Sequence, residues 1–413
     1  MASTLTAARP GTAGRKAVRP LAHRTFQMIH LVVGLTFGSL LVVQGLSGSV
    51  LVWRPELDRL LFPSLTHTPA SHAQAAPWDR MHPGLDFGLA AVRNAAPDGV
   101  VRTLRLPVAP DGTDEWMVQL PAAPGKSVQG KRLTIYTAPD TGRLLGIRGQ
   151  RVDALSWLIE LHHNLLTGSA GRVIQGYLAI VTIVLTLSGL WLWWPASWTL
   201  SRFRPRAAAK PLHYAVGFWV MGPLLVIAIT ATYLVWRQPM QRVFGVPDGR
   251  GAGDSQTRKQ NSSRRQEKHP PARGEVLPEA VDLSSLDAVL RAAHQAEPDA
   301  RLTVIRLPED GHGSYSVSFE SATENYRAAP NSVLVRIGED GNAQAVRTSL
   351  WRDLPAKQRF LEWLPRIHQG EFGSGDFGGT LVRLIWSITG MCPAMLFISG
   401  FLMWRRRLPL RER

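Results

Sequence analysis

Two stretches decide how this chain is built: HLVVGLTFGSLLVVQGLSGSVLVW at residues 30–53 and HYAVGFWVMGPLLVIAITATYLVW at residues 213–236. Each opens on a histidine (His30, His213), carries a glycine four residues on (Gly34, Gly217) and closes on Leu-Val-Trp (Leu51-Val52-Trp53, Leu234-Val235-Trp236). Each is also apolar for long enough to cross a bilayer, which takes about 20 helical residues. Two further apolar runs, Arg172 to Trp194 and Leu381 to Trp404, share a second frame. Trp157-Leu158 precedes Leu161-His162 as Trp363-Leu364 precedes Ile367-His368. Arg172 and Arg383 each lie 17 residues before the glycine of a Ser-Gly pair (Gly189, Gly400), and a tryptophan follows four residues later (Trp193, Trp404). Four spans in two copies of one unit are therefore expected.

The long connections repeat as well. Pro97-Asp98 through Arg105-Leu106-Pro107 parallels Pro298-Asp299 through Arg306-Leu307-Pro308. In each copy an Ala-rich helical run comes first. Alternating strand-like stretches follow (from Trp116 and from Tyr315), with turns at Pro139-Asp-Thr-Gly142 and Glu339-Asp-Gly341. The predicted fold is a four-helix membrane bundle carrying two small α+β domains, with an internal two-fold repeat. Residues 247–278, rich in Gly, Ser, Arg, Gln and Pro, have no counterpart in the first copy and read as a disordered insertion.

Charge orients this plan. The formal net charge is +16, and nearly all of it lies in three short basic pieces, 1–25, 195–212 and 405–413. The long connections are almost balanced. Positive-inside bias places those three pieces in the cytoplasm and both long connections outside. The expected order is a basic N-terminal segment 1–25, a first span 26–53 read as a signal anchor, and an outer domain 54–156. A histidine segment with the second span (157–194), the loop 195–212 and the third span (213–236) follow. The outer domain 237–362, the second histidine segment with the fourth span (363–404) and the tail 405–413 complete it. Basic charge split into juxtamembrane pieces argues against nucleic acid as a partner; the lipid bilayer is the partner it fits. The single cysteine, Cys392, excludes a structural disulfide, a Cys-built zinc site and c-type haem attachment.

Histidine is the chemistry-bearing residue that obeys the repeat. Of 12 histidines, four fall at matched positions beside the spans: His30 with His213, and His162 with His368. An ionisable side chain there needs a partner or a function. The plainer alternative for any one of them is an interfacial histidine bonded to a neighbouring helix. By topology His30 and His213 lie toward the cytoplasmic face, and His162 and His368 toward the outer face. Each face thus offers two imidazoles from different helices, the axial set of a six-coordinate b-type haem. Spacing alone leaves another metal open. Zinc wants four ligands, and copper is the weaker alternative. His163 is the alternate ligand to His162, which alone fits the repeat frame. Gly34 and Gly217 would let a flat macrocycle approach the backbone. Arg172 and Arg383, at the outer interface, are candidates for salt bridges to haem propionates or an anionic ligand, against ordinary snorkelling. Trp53, Trp193, Trp194, Trp236 and Trp404 read as interfacial anchors. His23, His67, His72, His82, His269, His294 and His312 show no matched spacing and are assigned to solvent.

No nucleotide-binding loop or nucleophile triad sits in a repeated setting, so an electron source would be a quinol, a soluble donor or a partner protein. The Leu161-His162 to Trp194 stretch, with its Ser-Gly-Leu-Trp-Leu-Trp-Trp-Pro ending, and His368 through Gly400-Phe-Leu-Met-Trp resemble the PepSY-associated transmembrane family, often labelled iron-regulated membrane proteins. That family includes ferric-siderophore reductases of the bacterial inner membrane, with b-type haem and two periplasmic PepSY domains. The resemblance implies two b-type haems held by His30, His213, His162 and His368, and reduction of a periplasmic ferric siderophore or other Fe(III) chelate for iron acquisition. One rival is a non-enzymatic peptide-binding or regulatory membrane protein acting through the PepSY-like domains. Another is a siderophore or metal transporter, disfavoured because the span interiors offer only Gln44, Ser and Thr, with Pro223 and Pro393 as kinks.

Overall fold

The computed structural model describes residues 21–68, 84–107, 111–121, 132–149, 152–194, 208–246, 283–298, 300–308, 314–321, 331–338, 342–372 and 375–406. The insertion 247–278 lies outside the described residues, as do most of segments 1–25, 195–212 and 405–413. The first half runs α1 (Leu21–Leu51), short α2 (Arg54–Leu61) and α3 (Pro63–Thr66), and α4 (Leu85–Ala95). Strands β1 (Val100–Arg105), β2 (Asp114–Gln119), β3 (Arg132–Thr137) and β4 (Leu144–Gly149) follow, then α5 (Ala154–Asn164) and α6 (Ser169–Trp193). The second half has a similar order: α7 (Ala209–Val235), α8 (Arg237–Val243) and α9 (Leu283–Ala296). Then come β5 (Ala300–Arg306), β6 (Ser314–Ser321), β7 (Asn331–Ile337), β8 (Ala343–Ser349), α10 (Ala356–Gln369) and α11 (Gly375–Arg405).

Four helices, α1, α6, α7 and α11, are long and apolar enough to cross a membrane. Their outward faces expose Val43, Leu46, Leu187, Ile229, Ile388 and Met391, side chains that lipid accommodates and water does not. α1 packs on α11 and α6, and α7 packs on α6 and α11, which closes a ring of four. In lipid the association of helices depends on close packing and interhelical hydrogen bonds. The α1–α11 contact supplies both. Gly45 and Gly390 approach so closely that a Cβ on either would strike the other's carbonyl oxygen. Beside them Ser49 Oγ donates to the Ser387 carbonyl (2.8 Å) and Trp53 Nε1 donates to Ser387 Oγ (2.8 Å). Between α6 and α7, Gly176 makes room for the Trp236 ring, and Trp193 packs on Phe218 at 4.7 Å between centroids. Trp53, Trp193 and Trp236 are therefore helix-packing residues; Trp194 stays exposed.

The eight strands form one antiparallel sheet in the order β4-β3-β2-β1-β5-β6-β7-β8. Two separate outer domains are the sequence expectation, and the structure joins them. Each unit is a four-strand meander whose first strand would be an open edge, and the two edges pair, Leu104 opposite Ile305. The matched Arg-Leu-Pro motifs make the seam: Leu106 N–H donates to the Thr303 carbonyl (2.8 Å) and Leu307 N–H donates to the Arg102 carbonyl (3.0 Å). One face of the sheet carries a continuous core in which Leu104, Trp116, Ile135, Ile305, Val317 and Val333 pack with Leu89 and Val92 of α4 and Val289 of α9. On the opposite face Arg105, Glu115, Met117, Thr134 and Tyr136 look into the end of the helical ring.

Ion pairs fix the two short helices that carry His162 and His368. Arg148 on β4 donates to Asp58 of α2 (2.6 Å) and by a fork to Asp153 (2.7 and 2.9 Å). Asp153 in turn caps α5 through the Ser156 N–H, with a reciprocal capping box. Burial works against ionising Asp153, but the hydrogen bonds from Arg148 and Ser156 outweigh it and bring its pKa down to about 2. In the second half Arg237 pairs with Glu362 of α10 (2.8 Å).

Candidate functional site

The four repeat-matched histidines meet in two pairs. His30 of α1 faces His213 of α7 with ring centroids 6.3 Å apart, and His162 of α5 faces His368 of α10 at 6.5 Å. One metal atom bonded to both rings, at about 2.0–2.1 Å per nitrogen and about 1.1 Å further to each centroid, would require roughly 6.3 Å. The imidazole planes cross at 85° in the first pair and 38° in the second. Along α1 the two pairs are separated by the 17 residues between His30 and Ser47, the contact of His162, or about 26 Å of helix. They thus stand toward opposite ends of the ring.

The hydrogen bonds around each ring choose its tautomer. His30 Nδ1 lies 2.9 Å from Ser188 Oγ, and that hydroxyl donates its proton to the Leu185 carbonyl (3.2 Å). His162 Nδ1 lies 2.9 Å from Ser47 Oγ, which donates to the Gln44 carbonyl (3.0 Å). A hydroxyl whose proton is already given away can only accept, so both Nδ1 atoms carry hydrogen and donate. His213 Nδ1 donates to the Leu396 carbonyl (3.1 Å) and Ser399 Oγ (3.0 Å). His368 Nδ1 donates to the Ile227 carbonyl (3.2 Å) and Thr230 Oγ1 (3.2 Å). All four rings keep a lone pair on Nε2, the nitrogen left for a metal, with the outer hydrogen bond that metal-binding histidines need.

Close backbone passage completes each seat. Gly189 lies against His30, Gly48 against His162 and Gly400 against His213, where a Cβ would come within 3.2, 3.0 and 3.5 Å of ring Cε1. The expected approach glycines, Gly34 and Gly217, line the same cavity but face Leu185 and Leu396.

A family model described as the PepSY-associated TM region matches residues 27–407. The chain belongs to this family. A comparison with curated proteins finds no match. The matched PepSY-associated TM region contains both histidine pairs, the whole sheet, α6, α7, α11 and all of α1 but its first six residues.

Within this PepSY-associated fold a cavity of about 1,940 Å³ runs through the helical ring, past both pairs, to the underside of the sheet. On two residues of its lining a donor, Gln44 Nε2 and Trp386 Nε1, is buried and has no acceptor among the described residues. Space, paired Nε2 lone pairs and orphaned donors fit a flat, oxygen-bearing macrocycle bound between two axial imidazoles. Among the described residues no group of three or more His, Cys, Asp or Glu is placed to hold a metal ion, and each pair offers two imidazole donors. Two protein donors per site suit a cofactor that brings nitrogens of its own.

The remaining expected residues divide. His163 lines the cavity beside His162, with centroids 6.0 Å apart, but is not in the pair. Arg172 also lines the cavity and donates to the Leu234 carbonyl (3.3 Å). Arg383 pairs with Glu56 and stacks over Trp53 at 5.1 Å, outside the cavity lining. His23, assigned to solvent on sequence, lines the cavity two helical turns before His30. His72, His82, His269 and His312 lie outside the described residues. Ser47, Ser188, Ser399 and Thr230 were missed by sequence reasoning. The signal was there: Ser188-Gly189 and Ser399-Gly400 share the frame of the arginines, and Ser47 and Thr230 share that of His30 and His213.

Proposed function

We propose that this protein is a haem-containing reductase of the bacterial inner membrane that passes electrons outward to a ferric siderophore or another Fe(III) chelate. The observation carrying this reading is the pair of imidazole pairs, each spaced for one central atom and set toward opposite ends of a membrane-length bundle. Two b-type haems, when bound, would supply a one-electron iron couple at each pair.

The protein's own residues would do the rest. His30 and His213 would hold one haem, His162 and His368 the other, each presenting Nε2. Ser188, Ser47, Ser399 and Thr230 would keep the rings in that tautomer and orientation. Apolar walls such as Leu31, Leu178, Leu224 and Phe397 would exclude water and keep the pairs in a low-dielectric channel. The sheet face bearing Arg105, Glu115 and Tyr136 would form the chamber beyond the His162–His368 pair where the chelate meets the electron. Reduction loosens the chelate, because Fe(II) is softer and less tightly held by oxygen donors than Fe(III). With the basic segments inside, that chamber opens on the periplasmic side.

The test is a visible spectrum and haem assay of the purified full chain. A Soret band with two haems per polypeptide is expected, falling to one in His162→Ala and in His30→Ala, with chelate reduction lost in both. A colourless protein, or full haem content in both variants, would overturn the reading and favour a peptide-binding or regulatory role.

A further inference from the structure

We propose that a membrane-soluble quinol binds in a lateral pocket between the start of α1 and the end of α6, with His23 taking its proton. The proposal rests on the reductase reading and names its electron donor.

A second pocket, of about 570 Å³, is lined by Ala22, His23, Leu187, Leu190, Trp191 and Trp194. Leu187, Leu190, Trp191 and Trp194 recur at three- and four-residue steps and so form one face of the α6 end. Leu187, Trp191 and Trp194 are 49%, 59% and 63% exposed, which turns this pocket toward lipid. The volume falls in the range of about 300–1,000 Å³ usual for small-molecule sites. Its depth is set by the tryptophans, which favour the membrane–water interface.

His23 is the one polar residue of that lining, and it also lines the central cavity with Gln27 and His30. Residues 23, 27 and 30 share one face of α1, and they are the only three shielded side chains in the first ten residues of the helix. A stripe thus leads from a lipid-facing pocket to the His30–His213 pair. A lipid acyl chain needs no base at such a place, whereas a quinol does. Its two O–H bonds break, two C=O bonds form, and two electrons reduce two Fe(III) chelates to Fe(II). Of the two protons, one goes to the His23 ring and the other to water at the same end. The apolar walls take the ring and tail, and Phe26 stacked on Trp191 at 5.7 Å offers an aromatic wall.

The test uses the full chain as purified, in lipid nanodiscs, with a decyl-benzoquinol as donor and no chelate. The quinol is expected to reduce the bound iron, followed in the visible spectrum. His23→Ala and Leu187→Trp should each slow this at least tenfold, while dithionite reduces every variant fully. An azido-quinone should label the α1 start or α6 end and be displaced by excess quinol. Unchanged quinol rates in both variants, or labelling that quinol does not displace, would overturn the proposal and leave a pocket filled by lipid. Absence of a Soret band with displaceable labelling at this site would instead overturn the haem reading and leave the quinol site standing.

Discussion

Ser47 and His162 are 115 residues apart in the chain and 2.9 Å apart in space, Oγ to Nδ1. Because the serine hydroxyl is given to the Gln44 carbonyl at 3.0 Å, the bond runs from histidine to serine, and Nε2 is left unprotonated. Ser188 does the same for His30. The two serines stand on α1 and α6, so each pair of imidazoles is oriented by a helix other than the one that carries the ring.

On the proposed haem reading, replacing Ser47 or Ser188 with Ala should therefore weaken one haem while leaving the histidines in place. Outer-shell partners of metal-binding histidines are worth roughly 10–100-fold in affinity. Ser47→Ala should lower affinity at the His162–His368 pair and Ser188→Ala at the His30–His213 pair, read as haem lost to a competing apo-protein. A shift in one of two reduction potentials should accompany each. Equal retention and potentials in wild type and both variants would show that the hydroxyls do not govern the tautomer.

Gly189 and Gly48 test the backbone side of the same seats. A Cβ would stand 3.2 Å from His30 Cε1 at Gly189 and 3.0 Å from His162 Cε1 at Gly48, so the rest of a valine has nowhere to go unless the ring moves. Gly189→Val and Gly48→Val should each halve the haem content, at different pairs. Gly34→Ala is the matched control, with Leu185 at an ordinary 3.8 Å, and should keep the wild-type stoichiometry by haem assay.

Much of this site was legible because the repeat doubles the signal. His30 with His213, and His162 with His368, stand out only as matched pairs; each alone is an ordinary interfacial histidine. His23 was missed for the same reason, since the corresponding position in the second copy is Arg206. Ser47 and Thr230 escaped notice because different residue types carry the same hydroxyl. The single eight-stranded sheet was not legible either. Alternation shows which face of a strand is buried, but not which edge is free to pair, and only the folded chain brings Leu104 beside Ile305.

Two carboxyls of the first meander give opposite pH dependences. Asp114 is fully buried, its carboxyl without a hydrogen-bond partner among the described residues, and burial, with Asp140 nearby, raises its pKa to about 8. The folded state therefore holds a proton that the unfolded state releases near pH 4, so this group's contribution is full below that pH and is lost as pH rises to about 8. Asp153, at about 2, contributes above pH 4 and loses its effect as pH falls through 2. Asp114→Asn should raise the unfolding temperature at pH 8 and leave it little changed at pH 4. Asp153→Ala should lower it at pH 7 by an amount that shrinks toward pH 2, where half of the Asp153 charge is already lost. Thermal unfolding followed across pH 2–8 checks both signs.

The seam between the meanders predicts how the sheet unfolds. Leu106 and Leu307 donate their N–H groups to Thr303 and Arg102, each reaching into the other half, and the core on one face runs unbroken from Trp116 to Val333. Leu106→Pro and Leu307→Pro each remove one of these donors and leave a carbonyl unsatisfied, at a cost of about 1–3 kcal/mol. Because the two bonds are equivalent across the seam, the two variants should lose similar stability. Hydrogen exchange should show protection falling together in β2–β3 and β6–β7 in either variant, as for one cooperative unit. If Leu106→Pro exposes only β1–β4 and Leu307→Pro only β5–β8, the halves fold independently and the shared sheet is no more than their docking.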